Sequence, residues 1–199
     1  MTIERIVNSV FTSNTFIITE NNYPYCWLID VGDVDPIFGK IKNKVVKGIL
    51  LTHVHYDHIY GINKVMNLFP DCMVFTSADG RDALYSDKLN FSRYHDDPII
   101  LESDNVAVLK ENDMIDLFPD IILNSIYTPG HDKSCITYYD DNVIFTGDSY
   151  IPNIKVVTSF PRSNKEDAAK SLEIILKLTE TRSIYPGHNE CYIKNRNNE

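Results

Sequence analysis

Short apolar runs, many of them alternating with polar residues, recur along most of the chain, and this is the pattern of β-strands. The pattern predicts strands at 3–10, 14–19, 26–31, 47–52, 73–76, 107–110, 121–127, 135–139 and 142–146. Segments with a helical period are predicted at 35–43, 59–69 and 164–179. In the last of these, the predicted apolar face consists of Ala168, Leu172, Ile175, Leu176 and Leu178. Strand-rich halves with helices outside them predict two sheets sandwiched by helices.

Several of these strands end in side chains that bind metals. The apolar strand at 47–52 leads directly into the motif His-Val-His-Tyr-Asp-His at 53–58. His131 and His188 each follow a Pro-Gly turn after an apolar segment, and Asp148 follows the glycine that ends another strand. Proline stops strand pairing and glycine permits a sharp turn, so these side chains are expected at the mouths of their strands.

The chemistry of these side chains indicates a divalent transition metal, because imidazole and carboxylate groups are ligands of zinc and also suit iron. If the strand extends into the motif, the side chains of His53, His55 and Asp57 lie on one side of it. The side chain of His58 then lies on the other side. A cluster divided in this way favours a two-metal site over a closed structural site. A lone histidine in a Pro-Gly turn is usually a surface residue, so the prediction depends on the combination of motifs.

Length and composition are those of a globular enzyme. The 199 residues are 43% hydrophobic, with no linker or low-complexity run, and a single domain over 1–199 is expected. No apolar stretch approaches the length of a membrane span, and the first residues lack the pattern of a signal peptide. The protein is therefore expected in the cytoplasm.

A net charge of −9 argues against nucleic acid and membranes as partners. The one basic neighbourhood, at 40–47, is spaced like an exposed helix face. A small-molecule substrate is the expected partner, and a homodimer is left open. The cysteines form no C-x-x-C pair and are expected to be buried; they are Cys26, Cys72, Cys135 and Cys191.

The order of the motifs resembles that of the metallo-β-lactamase-fold hydrolases, nearest to their glyoxalase II-like branch. In that family a His-x-His-x-Asp-His loop is followed by Gly-His, Gly-Asp and a final Gly-His, as found here between about 30 and 188. The resemblance implies an α/β fold, a four-layer αββα sandwich. Carried over by position, it assigns the first metal to His53, His55 and His131, the second to Asp57, His58 and His188, and the bridging role to Asp148.

The function that the resemblance implies is dinuclear zinc-dependent hydrolysis of a carbonyl substrate such as a thioester or lactone. A hydroxide between the metals would attack, with Asp57 and Asp148 as the catalytic carboxylates. Zinc is expected, and iron and manganese are alternatives. Flavodiiron oxygen reductases of this fold carry glutamate at the position of His55, so the histidine favours hydrolysis. The alternative function is a mononuclear-iron oxidoreductase resembling persulfide dioxygenases, and a non-catalytic metal-binding protein is a third.

Four further residues were candidates for the surroundings of the site. Asp30 ends the strand at 26–31 and is either a hydrogen-bond partner of a ligand histidine or the cap of a turn. Tyr150 and Lys155 are candidates for the pocket mouth. His95 lies in a polar, proline-bounded segment and is expected to be a solvated loop residue rather than a substrate contact.

The sequence departs from the family at three places. The usual Gly-Gly after the histidine motif is Tyr60-Gly61, and Asp132 replaces the common threonine after the third ligand. The chain also ends eleven residues after His188, where glutathione-thioester hydrolases continue into a helical extension. A hydrolase with no preference for glutathione is therefore expected.

Overall fold

The computed structural model describes residues 1–194, so residues 195–199 of the predicted domain lie outside the described part. The first sheet has six strands in chain order: β1 Thr2–Val7, β2 Asn14–Thr19, β3 Tyr25–Ile29, β4 Val45–Leu50, β5 Met73–Thr76 and β6 Val106–Val108. The second sheet has five strands, in the spatial order β11 Ser183–Pro186, β10 Val143–Gly147, β9 Ile136–Tyr139, β8 Ile121–Tyr127 and β7 Met114–Phe118.

The two sheets pack face to face through large apolar side chains. Phe16, Trp27 and Leu50 of the first sheet share a buried cluster with Tyr138 and Phe145 of the second. Hydrogen bonds also cross this layer, since the Trp27 indole donates to the Leu117 carbonyl at 2.8 Å and the Tyr138 hydroxyl donates to the Leu51 carbonyl at 2.9 Å. The buried polar ends of both aromatic residues are thereby satisfied.

Helices cover the outer faces of both sheets. Alternate residues of the first sheet, such as Ile17, Leu28 and Ile49, pack against α1 Val34–Ile41, α3 Ile62–Leu68 and α4 Ala78–Leu84. On the second sheet, Ile144 and Ile184 pack against Ile175 of α5 Lys165–Thr179. This order of layers confirms the predicted αββα sandwich. None of the helices in the described part of the chain has the length and apolarity that a membrane span requires.

Several element boundaries differ from those predicted. The strand at 3–10 ends at Val7, because the following residues form a turn closed by the hydrogen bond from Asn8 N to the Ser13 carbonyl. The helix at 59–69 is two helices, α2 Tyr56–Ile59 and α3, separated at Tyr60-Gly61. A Cβ on Gly61 would lie 2.2 Å from the Gly32 carbonyl oxygen, so the chain passes too close to its neighbour for a larger residue.

Other differences concern which residues are buried and which elements exist. On α5, Leu176 is 44% exposed, and Ser171 and Thr179 are buried in the helix face instead. Helix α4 and strand β7 were not predicted at all. The basic neighbourhood runs from the end of α1 into β4 rather than along one helix face. Three cysteines are buried as expected, whereas Cys191 is partly exposed.

Candidate metal centre

The candidate site lies where five strands end together. Strands β3 and β4 are parallel, β10 and β11 are parallel, and β8 and β10 are both antiparallel to β9. The residues that follow the ends of these strands can therefore meet at one edge of the sandwich. They include Asp30 after β3, the histidine motif after β4, His131 after β8, Asp148 after β10 and His188 after β11.

The seven residues predicted as ligands form one cluster. The donor atoms of six of them form two groups, each with all atoms within 4.8 Å: His53, His55 and His131, and Asp57, His58 and His188. Asp148 lies between the groups, because its Oδ2 is 3.5 Å from His131 Nε2 and 3.4 Å from His188 Nε2. The structure thus brings together every predicted ligand, while their binding of metal stays a prediction.

The donor atoms fit divalent metal ions. Buried Nε2 atoms of His53 and His58, and Oδ1 of Asp148, have no hydrogen-bond partner within the described residues. Leaving such a group unpaired costs about 1–3 kcal/mol, so three together call for a ligand. Donors about 2.1 Å from a tetrahedral ion lie about 3.4 Å apart. The separations here are similar: 3.0 Å for His55 Nδ1 and His131 Nε2, and 3.3 Å for His58 Nε2 and Asp57 Oδ2.

Hydrogen bonds at the outer nitrogens orient three of the rings. His58 Nδ1 donates to Asp30 Oδ2 at 2.9 Å, His131 Nδ1 to the Val157 carbonyl at 2.9 Å, and His188 Nδ1 to the Phe11 carbonyl at 3.1 Å. A proton held on Nδ1 leaves the lone pair on Nε2, which faces the centre.

Asp30, whose role the sequence left open, is both a partner of a candidate ligand and part of the turn. Besides His58, its carboxylate accepts the Thr52 backbone N–H at 2.7 Å and the Thr52 hydroxyl at 2.6 Å. The same hydroxyl oxygen lies 3.2 Å from His53 Nδ1. Asp30 therefore orients His58 directly and His53 through Thr52.

Asp132 is a further residue of the site that sequence reasoning noted only as a departure from the family. Its buried carboxylate accepts hydrogen bonds from Ser134 and from Arg162 Nε, the latter at 2.8 Å. Asp132 Oδ2 also lies 3.6 Å from His55 Nε2, the outer side of that ring. The sequence marks Asp132 only by the replacement of the threonine that is common at this position. Nothing in the sequence near Arg162 indicates that it contacts the site.

The electrostatics of the cluster favour bound cations. Burial would raise the pKa of Asp148, but the hydrogen bond with His188 and the nearby His58 hold it well below its usual range. Burial would lower the pKa of His58 and of His188, but the surrounding carboxylates raise them to about 9 and about 10. Burial, reinforced by neighbouring histidines, holds the pKa of His53 well below its usual value, so this ring is in the neutral, ligating form.

A pocket of about 220 Å³ opens directly onto the cluster. His95 lies on its wall: the residue is in a loop as expected, but its half-buried ring stacks on Tyr56 with centroids 3.9 Å apart. His95 is therefore partly buried rather than fully solvated, and the absence of a substrate contact stays a prediction. Tyr150 and Lys155 do not reach this pocket and line a separate groove beside α5, so their predicted place at the pocket mouth is wrong.

Comparison with known proteins agrees with this geometry. Residues 13–188 match the family model of the metallo-beta-lactamase superfamily. The chain belongs to this superfamily. A "Probable metallo-hydrolase" of Streptococcus pyogenes serotype M6 is 30% identical over 212 residues, covering 99% of this chain and 89% of that protein. The resemblance found from the motifs is thus confirmed at the level of the family.

Other superfamily members are more distant. The hydroxyacylglutathione hydrolase of Psychromonas ingrahamii is 26% identical over 67% of this chain, and the chain spans 45% of that enzyme. Among solved structures, the B3 metallo-beta-lactamase BLEG-1 has a TM-score of 0.85 at 23% identity, covering 96% of this chain and 93% of its own. ETHE1 from Myxococcus xanthus has a TM-score of 0.77 at 22% identity, and the match covers 96% of this chain and 76% of the ETHE1 chain. These two structures share the fold.

Proposed function

We propose that this protein is a dinuclear metal-dependent hydrolase that cleaves a carbonyl substrate such as a thioester or a lactone. The observation that carries the proposal is the position of Asp148. One of its carboxylate oxygens lies within 3.5 Å of a histidine from each of the two donor groups. A carboxylate shared in this way is suited to bridge two ions, whereas one ion needs only three or four donors.

The two donor groups would each hold one ion, with Asp148 shared between them. Imidazole and carboxylate donors favour zinc, and iron and manganese are alternatives. When bound, two such ions supply a hydroxide at neutral pH and an electrophile for the carbonyl oxygen.

The residues of the chain would perform the remaining tasks. Asp57 and Asp148 border the pocket and are the catalytic carboxylates of this proposal, because the pKa of each is held below its usual range despite burial. As anions they would accept hydrogen bonds from a water at the centre and orient it toward the substrate carbonyl. The hydrogen bonds at Nδ1 of His58, His131 and His188 keep the rings in place.

The alternative proposal is a mononuclear-iron oxidoreductase, favoured by the structural likeness to ETHE1. It requires a single ion held by two histidines and an aspartate, so the other donors would stay empty. In either case we propose a small-molecule substrate rather than nucleic acid or a membrane, because the pocket is small and the chain has a net charge of −9.

A substrate panel tests the leading proposal. Zinc-loaded protein is expected to hydrolyse thioesters or lactones at least about a hundredfold faster than phosphodiesters and β-lactams. A chelator should abolish the activity and added zinc should restore it. Oxygen consumption by the iron-loaded protein with a persulfide, without hydrolysis of any ester, would instead establish the oxidoreductase.

A further inference from the structure

Three phenylalanines line the pocket beside the candidate metal centre. The rings of Phe91 and Phe160 lie 5.7 Å apart, and each lies 5.1 Å from the ring of His55. Phe11 lies on the other side, where its carbonyl accepts the hydrogen bond from His188. Phe160 is 41% exposed and Phe11 65% exposed, so both rings present apolar surface to the pocket rather than to the core.

Two of these phenylalanines have a backbone conformation that bulky residues rarely adopt. Phe11 has a φ of 51° and Phe91 a φ of 62°. Such strain persists only where the surrounding structure imposes it, and it concentrates at ligand sites. Buried hydrogen bonds impose it at Phe91, because Ser92 N donates to the Asn90 side chain, which in turn donates to the Ile99 carbonyl.

The segment that carries Phe160 is tied to the metal centre itself. The Val157 carbonyl accepts from His131 Nδ1, and the Ser163 hydroxyl donates to the His131 carbonyl at 2.6 Å. Arg162 binds Asp132, as described above. The position of the Phe160 ring is thus set by the same turn that positions a candidate ligand.

The described residues that line the pocket include no lysine or arginine that could bind a charged group of the substrate away from the metal centre. The nearby Arg162 is occupied by Asp132 and is only 13% exposed. Asp96 and Asp97 are exposed directly after His95, so the surface near the pocket wall is acidic. A negatively charged group distant from the reacting carbonyl would be repelled there.

We propose that Phe91 and Phe160, with Phe11 on the side of His188, bind an uncharged apolar group of the substrate next to its reacting carbonyl. This inference rests on the proposed function and names its substrate class, namely carbonyl compounds with an apolar acyl group rather than an anionic one. Burial of each methylene group against these rings is expected to raise the affinity about fourfold.

Binding of carboxylates, the products of such hydrolysis, tests the inference separately from catalysis. Calorimetry on zinc-loaded protein would compare hexanoate with adipate, which has the same chain length and a second charge, and with acetate. Hexanoate is expected to bind at least about tenfold more tightly than either. In Phe91→Ala and Phe160→Ala the preference should fall below about threefold. Ile154→Ala, an exposed residue in the separate groove, should retain it.

The outcomes separate the inference from the proposed function. Equal binding of hexanoate and adipate, or a preference that survives in both phenylalanine variants, would overturn the apolar subsite. Hexanoate preference in a protein that hydrolyses no thioester and no lactone of the substrate panel would support the subsite and reject the hydrolase proposal alone.

Discussion

Replacement of Asp148 by asparagine is expected to lower turnover by more than about a hundredfold and to reduce the metal content, with the fold retained. The substitution keeps the shape of the side chain but removes a negative charge that lies between His131 of one donor group and His188 of the other. Loss of a residue that only orients a metal ligand already lowers metal affinity or activity by about 10–100-fold. Loss of a carboxylate that contacts both donor groups should lower them further.

Metal analysis after dialysis, initial rates and far-UV circular dichroism would measure the three effects. Asp116→Asn is the matched control, because Asp116 is an exposed aspartate on β7 of the same sheet. Full activity and normal metal content in Asp148→Asn would show that the bridging role is wrongly assigned.

Asp30→Asn is expected to weaken metal binding by about 10–100-fold and to lower the free energy of unfolding by about 1–3 kcal/mol. The buried carboxylate accepts three hydrogen bonds that orient His58 and Thr52, and an amide cannot accept all three. Because Thr52 contacts His53, the effect should reach both candidate metal positions.

The matched control is Asp33→Asn, since Asp33 also accepts three hydrogen bonds, from Ser9 and Tyr60, but contacts no candidate ligand. Zinc titration against a competing chelator and denaturant unfolding would be measured on both variants. If Asp33→Asn weakened zinc binding as much as Asp30→Asn did, the orienting role of Asp30 would be refuted.

The candidate ligands could be predicted because their signals are local. Four of them lie within the motif at 53–58, and each of the others directly follows a glycine at or just beyond the end of a strand, a signal contained in a few residues. The layers of the fold were predictable for a similar reason, since a short apolar run such as Phe16, Ile17 and Ile18 in β2 supplies buried side chains to both faces of a sheet that is covered on both sides.

Features that depend on packing between distant segments could not be predicted. Asp132 and Arg162 are in contact although thirty positions separate them in the sequence, and a longer separation lies between Phe91 and Phe160. Nothing near either member of these pairs identifies its partner. Helix α4 was missed because its apolar period is short, and Leu176 follows the apolar period of α5 yet lies where no other element covers it.

The number of metal ions bound per chain is the most direct test of a dinuclear centre. The protein would be purified without added metal, analysed by elemental mass spectrometry, stripped with a chelator and titrated with zinc while folding is monitored. Saturation is expected at two ions per chain, because the donors form two groups joined by Asp148. Saturation of the well-folded protein at one ion per chain would rule out a dinuclear centre.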